Sequence, residues 1–354
     1  MENSITILNQ KISEFNWSKI TLKTNYNIII YCVYDPVNHF DSEFSFLTDP
    51  QLDAKTLVIL WQPVEEGLWW NQSWILKLNK IVKTAPYKLI FLTGCSHNLN
   101  LSSTVGVEFD VRYFPVFDIR SAEIWKMPAE INLLKSKKFV CLNSKDNIPR
   151  RFILSQLIQN SLLNQGHISY QCAEGLSNMS LDIGLHLPTS ENNTLIEILN
   201  NCLSYLPMKL DDSPFSGTLS RKIFTDSYVN IVNETKFTNT TIYNTQFVTE
   251  KTFNAIANNQ IFIIVGHVDS LKILKHLGYK TFDTIIDESY DNIKNNGKRL
   301  KAVSNEIVRY LSKPIESIQE DYIKVQEIIK HNRDLLFSKN LHNSLQNFVD
   351  KIKL

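Results

Sequence analysis

The sequence lacks the features that mark several specialised classes of protein. No apolar run approaches the roughly 20 residues of a membrane-spanning helix. The start, Met-Glu-Asn-Ser-Ile-Thr, lacks the basic segment and apolar core of a signal peptide. The five cysteines are scattered without a C-x-x-C pair, which argues against a zinc cluster or a disulfide scaffold. We therefore expect a globular protein of the reducing cytoplasm.

The sequence also lacks a large net charge of either sign. Its 37 Lys and Arg nearly balance 36 Asp and Glu, so bulk electrostatics do not favour general binding to polyanions. The hydrophobic content of 43% is normal for a globular protein with sizeable cores. A chain of 354 residues suits two domains of ordinary size or one large domain.

Strand-like and helix-like segments alternate with short connections, which predicts an α/β fold with parallel sheets. Runs rich in β-branched and aromatic residues predict strands at 27–34, 56–61, 88–93, 139–143, 168–171 and 228–232, and the segment 107–117 is predicted to be mostly extended. Helical spacing of apolar residues predicts helices at 72–83, 120–126, 149–163, 195–206, 271–277 and 298–311. No internal sequence repeat is present.

The alternating pattern loosens near residues 128–138, where lysines gather, and we place a domain boundary there. The sequence thus predicts two Rossmann-like domains, 1–134 and 135–313, with a cleft between them. Residues 314–354 combine many charges with recurrent apolar positions. This pattern predicts a long C-terminal helix that packs back across the domains.

The most informative stretch is 247–266, Phe-Val-Thr-Glu-Lys-Thr-Phe-Asn-Ala-Ile-Ala-Asn-Asn-Gln-Ile-Phe-Ile-Ile-Val-Gly. It predicts a short helix capped by Thr249, then an apolar strand closed by Gly266. Glu250 and Lys251 fall in the first helical turn, at the sheet edge where nucleotides bind. A carboxylate there can accept ribose hydroxyls, and an ammonium can bind a diphosphate. A solvated first turn favoured by the helix dipole would have the same sequence.

Two further segments bring polar groups to the same predicted edge. Asn143 ends a strand, and Arg150 and Arg151 then open a helix, where guanidinium and backbone N–H groups can bind phosphate. Asn233 and Glu234 lie at the carboxyl end of another strand. Surface arginines and a solvated turn are the alternatives for these two segments. Convergence of all three segments on one edge favours a ligand site.

These segments resemble the donor-site signature of α1,3-fucosyltransferases and related GT-B glycosyltransferases. That signature has an Asn/Glu segment (here 229–234), a spacer, Y/F-x-T-E-K (here 247–251) and a strand ending in glycine (here Gly266). Residues 138–335 also look like phage-encoded sugar transferases, through the loop 143–151 and the Leu-Gly-Tyr-Lys-Thr-Phe-Asp segment at 277–283.

The resemblance implies an enzyme that moves a hexosyl or pentosyl group from a nucleoside-diphosphate sugar to an acceptor hydroxyl, with inversion. The donor would bind the domain 135–313, and the acceptor would bind the domain 1–134. Glu250 would hold the donor ribose, and Lys251 with Arg150 or Arg151 would neutralise the diphosphate leaving group. No D-x-D motif lies at a strand end that demands a metal. We therefore expect cationic side chains and helix N-termini, in place of a metal ion, to stabilise the departing diphosphate.

The first half departs from the family where the general base would lie. Fucosyltransferases have a Thr-Gly-Glu-Asn-like turn, whereas residues 93–98 are Thr-Gly-Cys-Ser-His-Asn, without the glutamate. His97, with an ordinary pKa of about 6.5, is our candidate base. Glu65, Glu66, Asp110 and Asp118 are its rivals.

Tryptophans near these residues predict a stacking surface for a sugar or an extruded base. We assign Trp69 and Trp70 to the acceptor site, because adjacent residues of one regular element cannot both point into the core. Most of the cluster, which includes Trp61 and Trp74, would be core.

Three hypotheses about function follow. The first is a sugar transferase acting on a glycan or a small acceptor. The second is a phage enzyme of the host-cell cytoplasm that glucosylates or arabinosylates hydroxymethylcytosine or hydroxycytosine in DNA. The near-zero charge argues against it, because phosphate contacts usually need a basic face. The third is a non-catalytic nucleotide- or glycan-binding module, which the missing glutamate keeps open.

Overall fold

The computed structural model describes residues 5–8, 20–32, 44–62, 72–94, 106–114, 116–144, 147–170, 210, 221–237 and 248–352. The described residues form two compact units. The first unit takes those within Met1–Ile124 and Lys339–Leu354, and the second takes those within Trp125–Thr240 and Val248–Ser338. Each unit contains a parallel sheet with helices, which confirms the predicted α/β fold. The predicted domain bounds stay predictions.

The strands agree well with the sequence patterns. In chain order they are β1 Ile5–Leu8, β2 Asn27–Cys32, β3 Thr56–Gln62, β4 Lys88–Thr93, β5 Asp110–Tyr113, β6 Lys137–Asn143, β7 Gly166–Tyr170, β8 Ser227–Asn233 and β9 Ile261–Val265. All the predicted strands are present, although residues 33, 34 and 171 lie outside the described residues. Strand β5 lies within the segment 107–117 that was predicted to be mostly extended. Strand β1 has only partly buried or exposed residues, so its pattern did not predict it.

The described helices complete the units. They are α1 Gln72–Thr84, α2 Phe117–Trp125, α3 Ile148–Gln159, α4 Arg221–Thr225, α5 Glu250–Ala257, α6 Ser270–His276, α7 Asn296–Leu311, α8 Ile315–Lys324, α9 Gln326–Phe337 and α10 Leu341–Asp350. Short 3-10 helices lie at Ser45–Thr48, Leu163–Gln165 and Glu288–Asn292. The helix predicted at 195–206 lies outside the described residues. Within the described ranges, the structure offers no candidate for a membrane-crossing helix.

The C-terminal helical stretch differs from the single long helix that we predicted. It is divided into α8, α9 and α10. Val325 leaves helical geometry between α8 and α9 (φ −100°, ψ 14°), and its side chain is buried. Asn340 then caps α10 by accepting a hydrogen bond from the Asn343 N–H. The apolar positions recur along the whole stretch, but the backbone leaves helical geometry at Val325 and a new helix starts after Asn340.

The sheet of the first unit has its strands in sequential order, β1-β2-β3-β4-β5. Its central strand is apolar because both faces are covered. Val58 and Leu60 pack with Ile75 and Leu78 of α1 in one cluster. From the alternate positions of β3, Trp61 makes an edge contact with Phe114. Each of these fully buried side chains contributes about 1.5–3 kcal/mol.

The sheet of the second unit has the order β7-β6-β8-β9, with all strands parallel. The chain runs from β6 to β7 on one side and then returns to place β8 on the other side of β6. This reversal creates a topological switch point between β6 and β8, where the flanking loops diverge. In such sheets, ligands bind at the carboxyl ends of the strands beside the switch point.

Candidate functional site

Two buried asparagines meet at the switch point. Asn143 ends β6 and Asn233 ends β8, and the Asn233 Nδ2 donates to the Asn143 Oδ1 at 3.0 Å. Both Nδ2 groups also approach the Cys141 sulfur, at 3.5 and 3.4 Å. The Asn233 Oδ1 is buried and accepts no hydrogen bond from the described residues. A buried acceptor without a donor costs free energy, so this atom suits a ligand N–H or O–H group.

The two predicted arginines open helix α3 beside these asparagines. Asn147 caps the helix and accepts a hydrogen bond from the Arg150 N–H at 3.0 Å. Arg150 and Arg151 are only 5% and 6% exposed, so they are not a solvated surface pair. Burial raises the pKa of the Cys141 thiol to about 11, and the charge of Arg150 opposes that rise. Positive charge thus lies next to the amide pair.

The helix predicted to start at Thr249 is present as α5, with Thr249 as its N-cap. The Lys251 Nζ donates to the Thr235 Oγ1 at 3.0 Å, the Thr249 Oγ1 at 3.2 Å and the Glu250 Oε1 at 2.9 Å. The Glu250 Oε2 is buried and receives no hydrogen bond from the residues that the structure describes. Both charged side chains are about one-quarter exposed, so solutes can reach them.

Glu234 supports the start of this helix. Its carboxylate accepts hydrogen bonds from the Thr249 N–H at 3.1 Å, the Thr249 hydroxyl at 2.6 Å and the Thr252 hydroxyl at 2.7 Å. Burial raises the pKa of the Glu234 carboxyl, while the charge of Lys251 and these hydrogen bonds act in the opposite direction. The carboxylate is fully engaged within the protein. This geometry favours a positioning role over the direct donor contact that the sequence predicted.

Gly266 is required by close packing at the end of β9. A Cβ at this position would lie 2.9 Å from the Ser270 Oγ, 3.1 Å from the Ile264 Cγ2 and 3.4 Å from the Glu234 Cβ. The glycine therefore lets the end of β9 lie directly against the segment that carries Glu234. The resemblance placed Gly266 at the donor site, and here it shapes the wall behind that site.

Thr235, which the sequence placed with Asn233 and Glu234 at the end of this strand, accepts a hydrogen bond from the Lys251 Nζ. Sequence reasoning missed two residues at this edge: Thr252 donates to the Glu234 carboxylate, and Arg299 donates to the Gly266 carbonyl at 3.2 Å. Thr252 has no distinctive spacing. Arg299 falls on the apolar face of α7 with Val303 and Ile307, where a charge is unexpected, so its position was a usable signal.

Most of the predicted acceptor-site residues lie outside the described residues. They are His97, Glu65, Glu66, Trp69 and Trp70. Trp61 is fully buried, as the core assignment of most tryptophans predicted.

Asp118 is fully buried in the first turn of α2. One carboxylate oxygen accepts from the Ile119 N–H at 2.8 Å, and the other lies 3.9 Å from the Lys339 Nζ. This arrangement favours a structural role for Asp118 over a role as general base.

Among the described residues, no cluster of three or more His, Cys, Asp or Glu side chains could hold a metal ion. Catalysis without a metal stays a prediction.

No protein-family model matches the sequence. No curated protein sequence matches it either.

Similar folds occur among solved structures. The E. coli trehalose-6-phosphate protein bound with UDP-2-fluoro glucose is 11% identical, with a TM-score of 0.46 over 94% of this chain and 74% of that chain. The DNA-modifying enzyme β-glucosyltransferase, solved with and without uridine diphosphoglucose, is 11% identical, with a TM-score of 0.41 over 91% and 81%. T4 phage BGT in complex with UDP and Mn²⁺ is 12% identical, with a TM-score of 0.40 over 92% and 83%. Similarity at this level carries no functional argument, so function is inferred from the residues themselves.

Proposed function

We propose that the protein is a GT-B glycosyltransferase that moves a sugar from a nucleoside-diphosphate sugar to an acceptor hydroxyl, with inversion. The observation that carries the proposal is the pair at the start of α5. A buried Glu250 oxygen without a donor among the described residues lies beside the Lys251 ammonium, at the carboxyl edge of a sheet with a switch point. A ribose hydroxyl supplies the missing donor, and a diphosphate supplies the counter-charge.

The donor molecule would span the switch point. Its diphosphate would draw Lys251 away from the Glu250 Oε1, which frees both carboxylate oxygens for the ribose. Arg150 or Arg151, at the N-terminus of α3, would bind the remaining phosphate oxygens. The unpaired Asn233 Oδ1 would accept from an O–H or N–H group of the nucleoside. Cations and helix N-termini then stabilise the charge that develops on the departing diphosphate.

The acceptor half of the proposal rests on the first unit. His97 would remove the proton of the acceptor hydroxyl, with Glu65 and Glu66 as rivals, and Trp69 and Trp70 would stack on the acceptor. The acceptor is a glycan, a small molecule or a modified base in DNA. Exclusion of water during the reaction would prevent hydrolysis of the donor.

The decisive experiment uses a panel of nucleotide sugars. The protein is incubated with each sugar, with glycan acceptors or hydroxymethylcytosine-containing DNA, and nucleoside diphosphate release is followed by mass. Release that depends on the modified DNA identifies a DNA glycosyltransferase, and release with glycans identifies a glycan enzyme. Tight binding without release identifies a binding module. No binding and no release with any nucleotide sugar would refute the proposal.

Lys251→Ala tests the donor site directly. A hydrogen bond to a charged group is worth about 1.5–3 kcal/mol, so the affinity for the nucleoside diphosphate should fall about 10- to 100-fold. Isothermal titration calorimetry measures it. The control is Lys324→Ala, which removes an exposed lysine at the end of α8. His97→Ala should abolish turnover without changing this affinity, and full turnover would transfer the base role to Glu65 or Glu66.

A further inference from the structure

Arg299 is a buried cation that binds only neutral oxygens. It lies in the first turn of α7 and is 1% exposed. Its Nε donates to the Gly266 carbonyl at 3.2 Å. Its Nη1 donates to the carbonyls of Ile293 at 2.7 Å and Lys294 at 3.5 Å. Its Nη2 donates to the Phe237 carbonyl at 2.6 Å and to the Asn296 Oδ1 at 2.7 Å. All five donor hydrogens of the guanidinium are thus used.

These hydrogen bonds join the ends of two neighbouring strands. Gly266 directly follows β9, and Phe237 lies in the segment that follows β8. The guanidinium also lies over the Phe237 ring, 4.5 Å from its centroid. One side chain therefore fixes the backbone after β8 relative to the backbone after β9, which a flexible ammonium cannot do in the same geometry.

Both segments carry groups that build the start of α5. The segment 234–237 contains Glu234, which accepts from the Thr249 N–H at 3.1 Å, and Thr235, which accepts from the Lys251 Nζ at 3.0 Å. The site of the Gly266 Cβ lies 3.4 Å from the Glu234 Cβ, so a shift of either segment displaces the other. A continuous chain of contacts runs from Arg299 through these segments to Lys251.

Arg299 stays protonated at neutral pH. Burial lowers the pKa of its guanidinium to about 10, and the charge of Asp291 opposes that fall. Burial lowers the pKa of the neighbouring His267 to about 4, with contributions from the charges of Arg299 and Lys236, so His267 is neutral.

We infer that Arg299 is a positioning residue for the diphosphate site: it holds the segments after β8 and β9 so that Glu234 and Thr235 set the place of Lys251. The inference rests on the proposed function, because it names a further residue of the same site. Arg299 itself contacts no ligand. Its replacement should therefore reduce diphosphate affinity more than its effect on stability explains.

Arg299→Lys and Arg221→Lys form a matched pair for the test. Arg221 also donates to backbone carbonyls, those of Trp125 and Met127, and lies 4.8 Å from the centre of the Trp125 ring. It belongs to the same unit, and these two partners lie outside the candidate site. Both replacements keep the positive charge but lose the planar guanidinium and its fixed arrangement of N–H donors. Asn296→Ala, which removes one acceptor of Arg299, is the milder variant if Arg299→Lys does not fold.

Affinities for inorganic pyrophosphate and for UDP, GDP and ADP are measured by calorimetry, and amide hydrogen exchange is measured at Thr249 and Lys251. We expect Arg299→Lys to weaken diphosphate binding about tenfold or more, since small misplacements of binding groups have large effects. We expect faster exchange at the two amides, with Arg221→Lys like wild type in both measurements. Asn296→Ala should weaken binding in the same direction.

Wild-type affinity and exchange in Arg299→Lys would overturn the inference and leave the proposed function standing. An equal loss in Arg221→Lys would also overturn it, since general destabilisation would then explain both. Failure of the wild-type protein to bind any diphosphate would instead remove the proposed function, and this inference with it.

Discussion

The central strands of the two sheets have the same length but opposite character. In β3, residues 57–61 are all apolar and fully buried. In β8, Ser227, Asn230 and Asn233 are polar and just as inaccessible, and each donates a hydrogen bond to a specific partner. Both strands have backbone ladders with their neighbours, but the side chains of β3 contribute through burial, whereas the buried polar side chains of β8 must also find hydrogen-bonding partners. The sheet with the switch point therefore depends more on specific side-chain pairing.

Among variants that compare the two units, Glu234→Ala is expected to cause the largest loss of stability at a fixed pH. The change leaves the Thr249 N–H and two threonine hydroxyls without their acceptor, so the free energy of unfolding of the second unit should fall by about 3 kcal/mol. Diphosphate affinity should fall with it. Asp118→Ala removes an equally buried carboxylate from the first unit and should leave that affinity unchanged. Chemical denaturation and calorimetry measure the two quantities, and equal losses of affinity would break the distinction between the units.

A smaller effect is expected from the matched pair Asn230→Leu and Ile59→Val, each at the fourth position of its strand. Asn230→Leu leaves the buried Gln260 Oε1 without the donor that it has at 2.9 Å, at a cost of about 2 kcal/mol. Ile59→Val removes one methyl group from an apolar environment, at a cost of about 1 kcal/mol. Denaturant titrations compare the two. A cost for Ile59→Val as large as that for Asn230→Leu would show that polar pairing does not distinguish the sheets.

The last effect, whose size depends on pH, concerns Lys135, beside the amino end of β8. Its Nζ donates to the Ser227 carbonyl at 3.0 Å and lies 4.7 Å from the centre of the Tyr322 ring. Burial lowers the pKa of Lys135 to about 7, against the opposing charge of Asp226. The unfolded chain keeps this proton up to its ordinary value of 10.5, so between these two values the unfolded state binds more protons and stability rises with pH.

Lys135→Met removes this titration. The stability of wild type minus that of the variant should therefore increase with pH across the window, by about 1 kcal/mol per pH unit at most. Urea denaturation at several pH values measures the slope. A flat difference would mean that Lys135 keeps its ordinary pKa and that the amino end of β8 tolerates a charge. Lys83→Met, which breaks an exposed ion pair of the first unit, is the control variant for the loss of a lysine.

Local patterns account for what the sequence predicted correctly. The cap at Thr249, the strand β9 and the apolar strands β3 and β4 depend on residues within one element, and all are present. What the sequence did not predict depends on contacts between distant segments. Glu234 satisfies a helix N-terminus 15 residues away, and Arg299 joins segments 33 and 62 residues away. The periodicity of apolar residues along the sequence carries no information about such long-range contacts.

The same distinction applies to the candidate site. Asn143, Arg150, Arg151, Asn233, Glu250 and Lys251 were chosen because each lies at the predicted carboxyl end of a strand or at the start of a helix. Their separate roles as ligand groups or supports were not predictable, because those depend on which side chains become buried. Glu234 and Gly266 lie at the ends of strands like the other candidates, but their packing favours a supporting role.

The pairing of Asn143 with Asn233 has a consequence for how the protein is made. These residues are 90 positions apart, and parallel pairing over such a separation comes late, because loop closure costs entropy before contacts repay it. Arg299 adds its contacts only after the segments at 237 and 266 have been synthesised. A nascent chain that ends before α7 contains Glu250 and Lys251 but lacks Arg299, which joins the segments after β8 and β9. The site should therefore mature only after α7 has left the ribosome.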